Sequence, residues 1–303
     1  MHGRDKIDVL VFGDTAIDDF YEVGSIPRVN DSADVSSWRE FYGGMGANTA
    51  VVSRSLGLRA ALVSVIGTDV EGENYRKYLQ NLGIGLDLKG ILNGDTTRSM
   101  FFKENGRQIS FFYKGVTEKL DELEFSKELI ERAECVYMAR TYLNLQKKVS
   151  SACRNKFLVY NPGYGVFGFE SIPKKFYQIL KNVNVLVLND HELRHLKKMD
   201  FNISNKLGPK VFIITRGDKG CMVYSKEAQI TVPIYKTESV DASGAGDAFN
   251  AGFIAAHLKG FETYDAVKFA NAAASFIVEK WGCQTNLPTW GMVEQRYDKI
   301  DRM

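Results

Sequence analysis

The sequence predicts an α/β fold, a doubly wound and mostly parallel sheet with a small β-sheet lid. Three observations lead there. Apolar runs recur at Asp8–Phe12, Ala61–Ile66, Cys135–Met138, Phe157–Tyr160, Val185–Leu188 and Val211–Thr215. Several are apolar on successive residues, as strands covered on both faces must be. Helical patterns such as Asn48–Leu56 and Asn74–Leu82 lie between most of them, which is the rhythm of a doubly wound sheet. Two segments break the rhythm and read either as a small sheet packed on the main domain or as a lid over a substrate cleft. Residues 20–41 read as extended and polar, and 97–113 read as a hairpin around Glu104-Asn105-Gly106-Arg107, since Asn-Gly suits the type I′ turn. With 303 residues, 45% hydrophobic and 25% charged, the chain can bury one large core, read as a single domain over 1–303.

Charge and cysteine usage narrow the function. Lys and Arg number 39 against 37 Asp and Glu, for a net charge of +2, so the basic stripe of a nucleic-acid binder is not expected. No run approaches the roughly 18 apolar residues of a membrane helix. The amino-terminal residues Met1–Asp8 run into the first strand without an apolar signal core. The four cysteines, at 135, 153, 221 and 283, form no C-x-x-C pair and fit a reducing cytoplasm.

The chemistry concentrates in four places. Asp241-Ala-Ser-Gly244-Ala245-Gly246-Asp247 precedes an amphipathic helix that runs to about Lys259 and closes at Gly260. A small-residue turn at a helix N-terminus presents N–H groups and the positive end of the dipole to an anion. Asp247, in the first turn, is placed either to take a proton from an attacking hydroxyl or simply to complement the dipole. Phe41-Tyr-Gly43-Gly44-Met-Gly46-Ala-Asn48 allows a ligand close to the backbone, with Asn48 opening the next helix as hydroxyl ligand or as cap. Asp14 and Asp18 follow the first strand, at the sheet edge where α/β ligands bind. Thr215-Arg-Gly217-Asp-Lys-Gly220 is a glycine-rich loop between two strands, the second at Cys221–Ser225, able to lie along phosphates. Gly13-Asp14-Thr15-Ala16 lacks G-x-G-x-x-G, so the fold does not imply a dehydrogenase.

These elements, in this order, resemble the ribokinase-like carbohydrate kinase family, also called the PfkB family, over essentially the whole chain. The most specific likeness is Asp-x-x-Gly-Ala-Gly-Asp at 241–247. The resemblance implies an ATP- and Mg²⁺-dependent kinase, with a monovalent cation left open. It implies Asp247 as base with Gly244, Ala245 and Gly246 as the anion hole, and Asp14, Gly43, Gly44 and Asn48 on the acceptor. It implies Thr215, Gly217, Gly220 and Asn271 on ATP. Asn189-Asp-His-Glu192 matches the family's N-x-x-E, in which Asn189 and Glu192 organise the water shell of a phosphate-bound Mg²⁺. The lid is also a candidate dimer surface.

Gly282-Cys-Gln-Thr-Asn-Leu-Pro-Thr-Trp290 and the Gly44–Ala50 stretch look most like archaeal nucleoside kinases of the family. Phe101, Phe112 and Tyr113 offer stacking area for a base, and Gln108 a hydrogen bond to its edge. The expected acceptor is therefore a nucleoside 5′-hydroxyl, with a simple sugar (ribokinase, fructokinase or ketodeoxygluconate kinase type) as the alternative. Asn161 stands where many relatives carry Asp, and Met45 where sugar kinases often have Lys. A rival from another class is the zinc-protease motif H-E-x-x-H at His191-Glu192-Leu-Arg194-His195, against which stand the cation of Arg194 and the missing third ligand.

Overall fold

The computed structural model describes residues 6–105 and 107–300. The main sheet has nine strands. In chain order they are β1 (Ile7–Phe12), β4 (Ala60–Gly67), β5 (Gly85–Ile91), β8 (Ala133–Ala139), β9 (Phe157–Asn161), β10 (Val185–Asn189), β11 (Val211–Thr215), β12 (Cys221–Tyr224) and β13 (Gln229–Val232). A second sheet holds β2 (Ala16–Val23), β3 (Val35–Gly43), β6 (Arg98–Glu104) and β7 (Arg107–Tyr113). The main order is β13-β12-β11-β10-β9-β8-β1-β4-β5, parallel except for the antiparallel β11-β12-β13 edge. The small sheet runs β3-β2-β6-β7.

All eight residues of β4 are buried, so both of its faces are covered. Along β1, Val9 and Val11 join one core while Leu10 and Phe12 join the other. The first core packs helices α1 (Met45–Ser55), α2 (Val70–Asn81), α7 (Ala245–Leu258), α8 (Thr263–Ile277) and α9 (Trp290–Tyr297). The second packs α3 (Lys127–Arg132), α4 (Leu143–Ala152), α5 (Lys174–Leu180) and α6 (Asp190–Lys197). Alternating side chains of a parallel strand thus serve two helical layers, as the doubly wound reading expects.

The expected strands are all present, extended by a residue or two at some ends. The 97–113 hairpin is also present, with Glu104 opposite Arg107 across a two-residue loop; Asn105 has φ 43°, and Gly106 lies outside the described residues. Residues Met1–Asp5, where a signal core is not expected, also lie outside them. Asp18 follows β1 within β2, a strand of the small sheet. One reading needs correction. Asn48 does not open or cap α1, because the helix begins at Met45 with Gly44 as its N-cap. Gly44 has φ 93°, and a Cβ there would stand 2.7 Å from the Asp14 carbonyl oxygen, which only glycine avoids. Asp14 performs the capping: its carboxylate accepts from the Gly46 N–H (3.4 Å) and its carbonyl from Ala47 (3.0 Å).

Candidate active site

Strand β1 ends at Phe12, and the chain crosses to the small sheet past Asp14, so both sheets meet at the carboxyl edge of the large one. Pairing of β2 with β3 and β6 places Asp18, Phe41 and Ser99 side by side on the face turned to the main body. On that face Phe20 stacks on Phe101 at 4.8 Å and meets Trp281 edge-on at 5.5 Å. The opposite face carries Tyr21, Trp38, Phe102 and Phe111, of which Trp38 and Phe111 are exposed. Of the expected base-stacking aromatics, Phe112 shares the inner face and stacks on Tyr164 at 4.7 Å, whereas Phe101 is spent on Phe20 and Tyr113 turns to Asp95.

Helix α7 begins directly after Gly244, whose φ of 76° turns the chain into the helix. A Cβ on Gly244 would lie 2.6 Å from that of Cys283, whereas one on Gly246 would meet nothing within 4 Å. The first turn therefore opens its backbone to a cavity of about 170 Å³ lined by Met45, Asn161, Gly163, Asn189, Glu192, Thr215, Gly244, Gly246 and Asp247. Asp247 is 6% exposed, and burial drives its carboxyl up to about 8, a rise that the Asp14 and Asp18 carboxylates reinforce and the Asn48 hydrogen bond opposes. Asn48 donates to Asp247 Oδ2 at 2.8 Å across 199 residues of sequence.

That bond ends a buried chain. Tyr75 donates to the Gly43 carbonyl at 2.8 Å, Gln284 Nε2 lies 2.8 Å from Tyr75 Oη, and the same nitrogen donates to Asn48 Oδ1 at 2.8 Å. Because Asn48 Oδ1 is held by Gln284, its amide nitrogen must face Asp247. Asp14 and Asp18 are buried beside this chain, and desolvation raises Asp18 to about 7. Arg140 Nε stands 3.4 Å from Asp14 Oδ2, and its guanidinium lies over Tyr164 at 5.0 Å. It is held there with φ 66°, an uncommon backbone state for a residue with a side chain.

On the other side of α7, a second cavity of about 300 Å³ is lined by Thr215, Gly217, Gly220, Tyr235, Ala245, Gly246, Phe249, Asn271 and Ala274 among others. Asn271 ties its walls together, donating to the Pro233 carbonyl at 2.7 Å and accepting from the Cys221 thiol at 3.1 Å. The two cavities share Thr215 and Gly246.

The structure thus brings Asp247, Gly244, Ala245, Gly246, Asn48, Asp14, Gly43 and Gly44 to one place, with Thr215, Gly217, Gly220 and Asn271 across the helix N-terminus. Asn189 and Glu192 line the cavity between, as a capping box: Asn189 Oδ1 accepts from the Glu192 N–H (2.8 Å) and Glu192 Oε2 from the Asn189 N–H (2.9 Å). Burial raises the Glu192 carboxyl to about 7. Gln108 is not brought in; it is exposed on edge strand β7, donates to Ser110 Oγ at 3.3 Å, and faces a separate cleft with Lys103, Asp241 and Trp281. Sequence reasoning missed Tyr75, Arg140 and Gln284. Arg140 had a signal, its position just after β8 at the ligand-bearing edge. Tyr75 had none, reading as an ordinary core position of an amphipathic helix.

A profile described as "pfkB family carbohydrate kinase" matches residues 6–290. The chain belongs to the pfkB family of carbohydrate kinases. This pfkB kinase is 33% identical over 299 residues to a "Nucleoside kinase" of Methanocaldococcus jannaschii, covering 96% of this chain and 97% of that one. It is 32% identical over 297 residues to one of Methanothermobacter thermautotrophicus, covering 96% and 95%. The crystal structure of the M. jannaschii nucleoside kinase, described as an archaeal member of the ribokinase family, superposes with a TM-score of 0.88 at 31% identity over 98% of this chain and all of that one. The fold is ribokinase-like, and the enzyme is a phosphotransferase.

The zinc motif is arranged otherwise. Glu192 folds back onto Asn189, Arg194 Nη2 stands 3.3 Å from His191 Nδ1, and His195 packs against Phe167. Among the described residues no group of three or more His, Cys, Asp or Glu is placed to hold a metal ion by itself. None of their helices is long and apolar enough to cross a membrane.

Proposed function

We propose that the protein transfers the γ-phosphate of ATP to the 5′-hydroxyl of a nucleoside, with Asp247 as the base. The observation that carries this is the placement of Asp247, buried at the α7 N-terminus beside Asn48 and lining a cavity that shares Thr215 and Gly246 with the second one of about 300 Å³. The nucleoside's ribose lies against Asp14, Gly43, Gly44 and Asn48, where a carboxylate and an amide suit vicinal hydroxyls. Its base meets Phe112 and Tyr164, which lie parallel enough, at 28°, to admit a flat ring on separating. ATP occupies the cavity bordered by Thr215, Gly217, Gly220 and Asn271, with its γ-phosphate at Gly244–Gly246. The 5′-oxygen attacks the γ-phosphorus, the bond to the β,γ-bridging oxygen breaks, ADP departs and Asp247 accepts the hydroxyl proton. The N–H groups of the α7 first turn receive the charge that develops on the transferred group.

Asn189 and Glu192 fit a Mg²⁺ held through water. They are oxygen donors lining the phosphate cavity, and a buried carboxyl raised by desolvation regains its charge beside a cation. Bound there with ATP, the ion would neutralise phosphate charge. We place the reaction in the cytoplasm, in keeping with four buried free thiols. The chain acts as one domain with the small sheet as its lid, and the exposed Trp38 and Phe111 on the lid's outer face make that face a candidate contact between two copies.

ADP release from ATP·Mg²⁺ against a panel of nucleosides and free sugars tests the assignment. Turnover with nucleosides is expected; turnover with free sugars alone would overturn the acceptor and keep the reaction class.

A further inference from the structure

One lid side chain reaches the loop that forms the phosphate site. Lys103, on β6, places Nζ 2.8 Å from Asp241 Oδ1, with a side chain only 18% exposed. The ammonium lies over the Trp281 ring at 4.1 Å and the Phe20 ring at 5.0 Å, aromatic faces that favour a cation, at the wall of the cleft that Gln108 also lines.

Asp241 organises the loop it begins. Its Oδ1 also accepts from the Ser243 N–H at 3.2 Å and the Ser243 hydroxyl at 2.9 Å, and its Oδ2 accepts from the Gly282 N–H at 3.2 Å. Gly282 precedes Cys283 and Gln284, which respectively pack on Gly244 and orient Asn48. One carboxylate, 3% exposed, therefore ties together the loop that turns into α7 and the segment that steers Asn48 onto Asp247. Without a cation it would be a buried charge met by three neutral donors, a costly state.

We propose that Lys103 is a positioning residue: its ammonium, delivered by the lid, neutralises Asp241 and so sets the 241–246 loop for phosphoryl transfer. This rests on the kinase reading of the site. The consequence is that the phosphate cradle is fully formed only while the lid is down. An acceptor that holds the lid closed thereby prepares the site for ATP's γ-phosphate, and water, which cannot hold it, is a poor acceptor.

The test compares wild type with Lys103→Met and Lys103→Arg in the full chain by three readouts. With nucleoside acceptor, Lys103→Met should lose about a hundredfold in kcat, the scale of a misplaced reacting group. Its ATP dissociation constant, measured directly without acceptor, should stay within about twofold of wild type, because Lys103 lies outside the ATP cavity. Lys103→Arg should recover part of the kcat, and ammonium chloride should partly rescue Lys103→Met. Hydrogen exchange of the Ser243–Asp247 amides should quicken in Lys103→Met, a readout that needs no acceptor and so stands even if the nucleoside assignment fails. Unchanged kcat with unchanged exchange would overturn the proposal. So would parallel losses of kcat, ATP affinity and melting temperature, which would make Lys103 a general stabiliser of the lid.

Discussion

Replacing Asn48 by alanine removes the neutral donor that Asp247 meets at 2.8 Å. Burial has already pushed the Asp247 carboxyl up to about 8, and the Asn48 bond is the largest of the effects that hold it down. A hydrogen bond to a charged group contributes about 1.5–3 kcal/mol, which is roughly one to two pH units. The base form of Asp247 exists above its pKa, so kcat/KM for the acceptor should rise with pH in wild type, reach half its plateau near pH 8 and level off above it. In Asn48→Ala the same limb should move to higher pH by about one to two units, lowering the rate at pH 7 by about ten- to a hundredfold. Asn48 is also expected on the acceptor, but a lost acceptor contact scales kcat/KM equally at every pH and leaves the limb where it was. The position of the limb therefore separates the two roles. The assay is initial ADP release at subsaturating nucleoside from pH 6 to 10, with a stability check at each end. A limb at the same pH in both proteins would refute the link between Asn48 and the ionisation of Asp247.

Other expectations follow from the same geometry. Gln284→Met keeps the volume but frees the Asn48 amide to rotate, so its acidic limb should shift in the same direction and by less than in Asn48→Ala, read by the same pH profile. Glu192→Ala removes the capping box and the carboxylate of the phosphate cavity; the Mg²⁺ concentration for half-maximal rate should rise about tenfold or more, while Glu192→Gln, which keeps the cap, separates helix capping from ion handling. The folded state raises Asp247 from an unfolded carboxylate near 3.8 to about 8, so its burial becomes destabilising as pH rises from the first value through the second. Asp247→Asn should accordingly melt higher than wild type at pH 9, with the difference vanishing below about pH 4. Tyr164→Ala should raise the nucleoside KM more than that of any free sugar the enzyme accepts, since only a base would use the ring; equal changes would remove Tyr164 from base recognition.

Much of the large sheet was legible because burial on both faces writes itself as unbroken apolar runs such as Val185–Leu188 and Val211–Thr215. Strand β5 was not, since Gly85-Leu-Asp-Leu-Lys-Gly alternates at an exposed edge and carries glycine at both ends. The hairpin was marked by its turn, but the early start of β2 was hidden because Ala16-Ile17-Asp18-Asp19 lacks a turn signal to separate it from β1. The first turn of α7 was legible from local sequence, as small residues before a carboxylate have few other uses at a helix N-terminus. The support for Asp247 was not: the packing of α1 against α7 brings Asn48 to it, and Tyr75 and Gln284 join Asn48 from α2 and from the loop before α9. Gln108 shows the converse error, a polar residue in the right hairpin but at the wrong end of it. Lys103, beside it in the ladder, carries the contact to the phosphate loop instead.

The most direct test of the central claim is single-turnover transfer from ATP to a nucleoside by wild type and Asp247→Asn, with the product's phosphate position assigned by ³¹P-coupled NMR. The account predicts a nucleoside 5′-phosphate from wild type and a rate lower by about a hundred- to ten-thousandfold in the variant, with ATP still bound. A variant that transfers phosphate at the wild-type rate, or a product phosphorylated elsewhere than the 5′-oxygen, would contradict it.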